Sequence, residues 1–225
     1  MTKSREYFIS EPAGSNADAT IIWLHGLGAD GKDFAGLVEE LGLPIHHKVR
    51  FIFPSAPFAN ITINNGMLMR AWYDIYDFTI SDKEDSDGIK KSQQLINELI
   101  QQEMAKGIAS ERILLGGFSQ GGAMSLYAGL KFIAPLGGII CLSAYLPLRT
   151  TFTECEATAN FKTPVFMAHG MFDPVVSYNL GQTTHSLLTQ WHYNVEWKSY
   201  PMEHTVCIEE LAAIGAFVNR CLEYA

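Results

Sequence analysis

The stretch Gly116-Gly-Phe-Ser-Gln-Gly-Gly-Ala123 constrains this chain more than any other part of it. It directly follows the apolar run Arg112-Ile-Leu-Leu115 and opens a helical apolar pattern carried by Met124, Leu126, Tyr127 and Leu130. A strand that turns at once into a helix around Gly-x-Ser-x-Gly is the setting of a nucleophile elbow, where the serine stands at the tip of a strained turn. Such a turn crowds the positions two before and two after the serine. Gly117 and Gly121 leave that space free, and Gly122 lets the helix pack close. Gly-x-Ser-x-Gly also occurs in ordinary glycine-rich turns, so the rest of the chain has to decide.

The rest of the chain alternates strand and helix patterns. Glu6 to Ser10 reads as a short edge strand. Ala19-Thr-Ile-Ile-Trp-Leu-His25 is a continuous apolar run of the kind buried on both faces, and it ends in the glycine-rich loop Gly26-Leu-Gly-Ala-Asp-Gly31. Phe34, Leu37, Val38 and Leu41 predict a helix closed by Gly42, and Val49 to Phe53 predicts a strand. Residues 55–86 show no regular period and read as one long loop, with the aromatic piece Trp72 to Phe78 inside it. A long amphipathic helix follows from Gly88 to Lys106. Beyond the elbow, strands are expected at Gly137–Leu142, Pro164–His169 and Val195–Tyr200, and helices at about 177–191 and 206–222. Apolar strands alternating with helices predict a mostly parallel sheet with helices on both faces, in one domain spanning residues 1–225.

Composition removes several function classes. The net charge is −8, and no basic cluster exceeds the pair Lys90-Lys91, which argues against nucleic acid and against a polybasic membrane anchor. The amino-terminal sequence lacks the apolar core of a signal peptide and no run reaches transmembrane length, so cytoplasmic residence is expected. Cys141, Cys155, Cys207 and Cys221 have no metal or redox spacing and read as thiols. No metal site is expected either: the histidines form no i, i+4 pair, and the neighbours His46 and His47 point apart.

A serine hydroxyl needs a base to take its proton and a third group to hold that base in one tautomer. In a parallel α/β sheet these partners come just after strands, in the order serine, acid, histidine. Asp173 is the one aspartate between Ser119 and His204, and it follows a strand in a turn set by Pro174. Glu154, Glu156, Glu196 and Glu203 have no such position. His185 and His192 fall in or beside a helix, and His169 ends a strand as a structural donor. His204, in the loop after the last strand, is the expected base, with Asp173 orienting it. The backbone amide of Gln120, at the start of a helix, and one from the Leu27 region of the glycine-rich loop are the expected oxyanion donors. A phosphate-binding reading of that loop fails on spacing, since it is not Gly-x-Gly-x-x-Gly. Trp72 and Leu146 are the expected walls of a substrate pocket.

Five blocks in order carry a resemblance: Leu24–Asp30, Arg70–Asp74, Gly117–Gly122, His169–Val175 and His204–Cys207. Together they resemble the phospholipase/carboxylesterase family, which includes the acyl-protein thioesterases and small bacterial carboxylesterases. The resemblance implies an α/β-hydrolase fold without a large cap domain, no cofactor, and cleavage of carboxylic ester or thioester bonds. Carried over by position, it places the triad on Ser119, Asp173 and His204, the three already reached, and the oxyanion amides on Leu27 and Gln120. The sequence departs from the family at Met171-Phe172 before the aspartate and Met202-Glu203 before the histidine. The expected substrates are small acyl esters, lysophospholipids or acylated proteins; a homodimer and brief membrane contact are compatible with the pattern. The competing reading is a hydrolase-fold acyl-binding or carrier protein without turnover.

Overall fold

The computed structural model describes residues 6–14, 16–77, 83–152 and 159–223. Phe78, Glu154, Cys155, Glu156 and the first five positions, all used in the sequence reading, lie outside the described residues. Nine strands are described: β1 (Tyr7–Ser10), β2 (Ala19–Leu24), β3 (Val49–Pro54), β4 (Phe58–Ile61), β5 (Met67–Arg70), β6 (Ile113–Phe118), β7 (Gly138–Leu142), β8 (Val165–Gly170) and β9 (Val195–Tyr200). Five α-helices join them: α1 (Leu37–Glu40), α2 (Ser86–Ala105), α3 (Gln120–Lys131), α4 (Tyr178–Gln190) and α5 (Ile208–Leu222). Seven strands form one sheet in the order β1-β3-β2-β6-β7-β8-β9. Only β1 runs antiparallel to its neighbour, pairing Tyr7 with Pro54, while the other pairs are parallel.

The strands are apolar throughout because both faces of the sheet are covered. Alternate residues supply two separate cores. Ile22, Leu24, Ile113, Leu115, Ile139, Cys141, Val165 and Met167 face one way and pack with α2, α3 and α4 through Ile96, Ile100, Met124, Leu126 and Leu188. Ile21, Trp23, Phe51, Phe53, Leu114, Ile140, Leu142 and Phe166 face the other way and pack with α1 and α5 through Leu37, Ile214, Phe217 and Val218. Each such side chain stabilises the fold by about 1.5–3 kcal/mol relative to exposure.

Two expected elements change form. The helix predicted around Phe34 to Leu41 is broken into a 3-10 turn, Gly31–Phe34, and the single turn of α1. Gly36 sits between the two pieces, where its backbone freedom weakens a continuous helix. The long loop predicted over 55–86 contains the antiparallel hairpin β4–β5, which pairs Phe58 with Arg70 and Ile61 with Met67. Its turn is made by Asn65 and Gly66, both at positive φ. The helix α2 starts two residues before Gly88, because Asp85 caps it by accepting a 2.9 Å bond from the Gly88 amide.

Candidate active site

Ser119 occupies the junction of β6 and α3 with φ 56° and ψ −123°, a left-handed backbone that costs about 1–3 kcal/mol for a residue with a side chain. The surroundings impose it. The Ser119 amide donates to the Leu142 carbonyl at 2.9 Å, and the Ala123 amide donates to the Ser119 carbonyl at 3.0 Å. Main chains meet directly behind the serine. A Cβ on Gly121 would lie 2.1 Å from the Leu24 oxygen, and one on Gly117 would lie 2.5 Å from the Gly121 backbone. Only glycine fits at either position.

His204 and Asp173 are brought to this serine from the loops after β9 and β8. His204 Nε2 lies 2.9 Å from Ser119 Oγ, and His204 Nδ1 lies 2.7 Å from Asp173 Oδ2. The carboxylate accepts only, so Nδ1 carries the proton and Nε2 is free to accept the serine hydroxyl. The Asp173 side chain has no exposed surface, while that of His204 keeps 15%. The other carboxylate oxygen, Oδ1, accepts from the amides of Val175 and Val176 at 2.8 and 2.9 Å, which fixes the rotamer. The two loops are stitched together: Met171 and Phe172 donate their amides to Tyr200 and Met202. Phe118 packs its ring on the His204 imidazole, with centroids 4.7 Å apart.

Gln120 opens α3, so its amide has no partner inside the helix and lies at the positive end of the helix dipole. Neither that amide nor the Leu27 amide donates to any of the described residues. The loop carrying Leu27 is braced at several points. Gly28, at φ 79°, donates to the Arg70 carbonyl at 2.8 Å, and the Trp72 indole donates to the His25 carbonyl at 2.9 Å. His25 itself is buried, donating from Nδ1 to the Gly26 carbonyl at 2.7 Å and accepting the Ala56 amide on Nε2 at 2.9 Å. The Ala56 amide leaves Nε2 an acceptor and hence the ring neutral, and burial lowers the pKa of His25 in the same sense, with the Gly26 carbonyl opposing. The Gln120 side chain closes the frame: Oε1 accepts from the Trp72 amide and Nε2 donates to the Tyr73 carbonyl, both at 2.8 Å.

These bracing roles of His25, Arg70 and the Gln120 side chain were not read from the sequence. The one local signal was a histidine ending an apolar strand beside a glycine. Trp72 and Leu146, expected as pocket walls, are both buried, with 4% and 1% of their surface exposed, and Trp72 lines a cavity together with Phe58, Arg70 and Leu99. Trp72 is held there by its two N–H bonds, and the Leu146 amide donates to Thr184 Oγ1 at 3.0 Å. Apolar surface is exposed elsewhere near the histidine-aspartate pair, at Met171 (43%), Phe172 (65%) and Val175 (51%). Among the described residues, no cluster of three or more His, Cys, Asp or Glu side chains is arranged to hold a metal ion.

A parallel sheet in this strand order, a serine at a strand-to-helix elbow, and an aspartate and histidine on the next loops along the same edge define an α/β hydrolase. The sequence narrows the class further. The phospholipase/carboxylesterase family model matches residues 6–222, and the chain belongs to that family. An acyl-protein thioesterase 1 of Neurospora crassa is 45% identical over 220 residues, covering 94% of this chain and 90% of that protein. Among solved structures, Arabidopsis thaliana SOBER1 superposes with a TM-score of 0.83 at 31% identity, covering 91% of this chain and 99% of its own. A Zea mays acyl-protein thioesterase 2 gives 0.85 at 28% identity, covering 96% and 99%. Among the described residues, no helix is long and apolar enough to cross a membrane.

Proposed function

We propose that this protein is a serine hydrolase that cleaves carboxylic ester or thioester bonds of acyl substrates through an acyl-enzyme. The observation that carries the reading is the hydrogen-bonded chain Ser119 Oγ, His204 Nε2, His204 Nδ1, Asp173 Oδ2, set on a strained elbow. Ser119 Oγ attacks the acyl carbonyl carbon while its proton passes to His204 Nε2, and Asp173 stabilises the imidazolium. The tetrahedral oxyanion is met by the Leu27 and Gln120 amides, each worth about 2.7–4 kcal/mol of barrier where such donors have been removed. The carbon–oxygen or carbon–sulfur bond then breaks, and the leaving alcohol or thiol takes the proton from His204. Water, deprotonated by the same nitrogen, attacks the acyl carbon, and the Ser119 Oγ–carbon bond breaks as His204 returns that proton to Oγ, releasing the carboxylic acid.

Acylated proteins are the substrate class best supported, on two grounds. The relatives named above as acyl-protein thioesterases share up to 45% of aligned positions with this chain. Exposed Met171, Phe172 and Val175 also give the rim beside His204 an apolar character suited to an acyl chain. Turnover of p-nitrophenyl esters from acetate to palmitate, and of an S-palmitoyl peptide, with Ser119→Ala alongside, tests both levels. Rising kcat/KM with chain length and cleavage of the thioester support the specific reading; a peak at short esters replaces it with a general carboxylesterase. Equal rates in wild type and Ser119→Ala overturn the mechanism. Absence of turnover and of fluorophosphonate labelling in the wild type turns the assignment to an acyl-binding protein.

A further inference from the structure

His169 is a fully buried imidazole that the mechanism above leaves unused. Its Nε2 lies 2.9 Å from the Val176 carbonyl oxygen and 3.3 Å from Asp173 Oδ2. Neither oxygen can donate, so Nε2 must carry the ring proton. Nδ1 is then a bare lone pair. It has no hydrogen-bond partner among the described residues, and a Cβ on Gly181 would lie 2.4 Å from it. The remaining neighbours are aromatic: Tyr178 meets the ring edge-on at 5.9 Å, and Trp197 lies 6.4 Å away between centroids. A charged His169 would need an acceptor at Nδ1 that this packing does not supply, and it would stand beside His204. Burial pulls its pKa down, opposed by the Val176 carbonyl and Asp173 and reinforced by His204.

We propose that His169 is a positioning residue: its Nε2–H, shared between the Val176 carbonyl and Asp173 Oδ2, aligns the Asp173 carboxylate with His204 and draws off part of its negative charge. Asp173 Oδ2 thereby serves two imidazoles that behave differently. The donor from His204 becomes an imidazolium during the reaction, while the donor from His169 stays neutral. The neutral donor tunes how strongly the carboxylate holds a proton on His204, which must accept one in acylation and surrender it to the leaving group. The groups facing His169 that bear on its titration are Asp173, His204 and Tyr178; His185 reaches only the far side of the cluster, stacked on Trp197.

The inference rests on the proposed roles of Ser119, Asp173 and His204, and the experiment separates the two. His169→Phe keeps the ring and removes the donor; His169→Gln places an amide N–H where Nε2 stood. With the donor gone, Asp173 binds the His204 proton more tightly, so the acid limb of kcat/KM moves to higher pH by about 0.5 unit. His169→Gln should bring the limb back. An unmoved limb in a folded His169→Phe variant, or the same displacement in both variants, reduces His169 to packing and overturns the proposal. Should His169→Phe not fold, 15N spectra of the wild-type imidazoles decide: His169 must stay the neutral Nε2–H tautomer from pH 5 to pH 8. A titrating His169, or an Nδ1–H tautomer, sinks the idea without any reference to turnover. Undiminished activity in Ser119→Ala would instead remove the triad reading itself.

Discussion

Glu210, the third residue of α5, has no exposed surface, and among the described residues no ion pair or side-chain hydrogen bond offsets the burial of its carboxylate. Burial pushes its pKa from 4.5 up to about 8, with the Cys207 backbone opposing too weakly to offset it. The native state therefore keeps a proton that the unfolded chain releases above about pH 4.5. Because the unfolded state binds fewer protons in this window, stability falls as pH rises and levels off only above the native value. At about 1.4 kcal/mol per pH unit, the gap between 4.5 and about 8 gives about 5 kcal/mol in all. Between pH 5 and pH 8 the same linkage gives about 3–4 kcal/mol. Glu210→Gln keeps the shape and removes the titration, so its stability should decline by that much less over the interval. Urea unfolding of both proteins at pH 5, 6.5 and 8 reads the difference, and every other titrating group cancels in the comparison. Parallel stability-against-pH curves for the two proteins would refute the argument and place an ionised, solvated Glu210 in the native state.

Three further outcomes follow from the site. Ser119→Ala should lower kcat by about 10⁴–10⁶-fold while leaving the melting temperature within a few degrees, as measured by ester turnover and calorimetry. Gly121→Ala forces a Cβ to within 2.1 Å of the Leu24 oxygen, a backbone clash that no rotamer relieves. Its cost should exceed about 3 kcal/mol, lowering the melting temperature by about 10 °C or preventing folding. Gln120→Ala keeps the amide proposed as an oxyanion donor but leaves the Trp72 amide and Tyr73 carbonyl unpaired in the interior. It should cost about 2–5 kcal/mol in thermal unfolding, and an unchanged melting temperature would show that the clamp is not formed in solution.

What the sequence disclosed and what it withheld divide along physical lines. The sheet was legible because strands buried on both faces must be apolar runs, and Ile21 to Leu24, Ile113 to Leu115 and Val165 to Ala168 are such runs. The elbow was legible because close backbone approach leaves no alternative to Gly117 and Gly121. Asp173 and His204 followed by position, each standing just past a strand on the edge that Ser119 occupies. Hydrogen bonds between side chains and distant backbone have no period and no spacing, and there the reading stopped. The burial of Trp72 was not legible because it stands in an aromatic cluster within an irregular segment; two N–H bonds to residues 47 and 48 positions away carry it inward. The hairpin β4–β5 was missed for a related reason, since exposed Phe58, Met67 and Leu68 erase the alternation that marks a half-buried strand. The same limit applies to His169. Its strand-end position marked it as a structural donor, but its second neighbouring oxygen, Asp173 Oδ2 at 3.3 Å, which also serves His204, comes near only once the turn from Gly170 to Val176 has folded. A sequence thus discloses a position where the backbone dictates the residue type, and withholds a contact that forms only between side chains brought together by the fold.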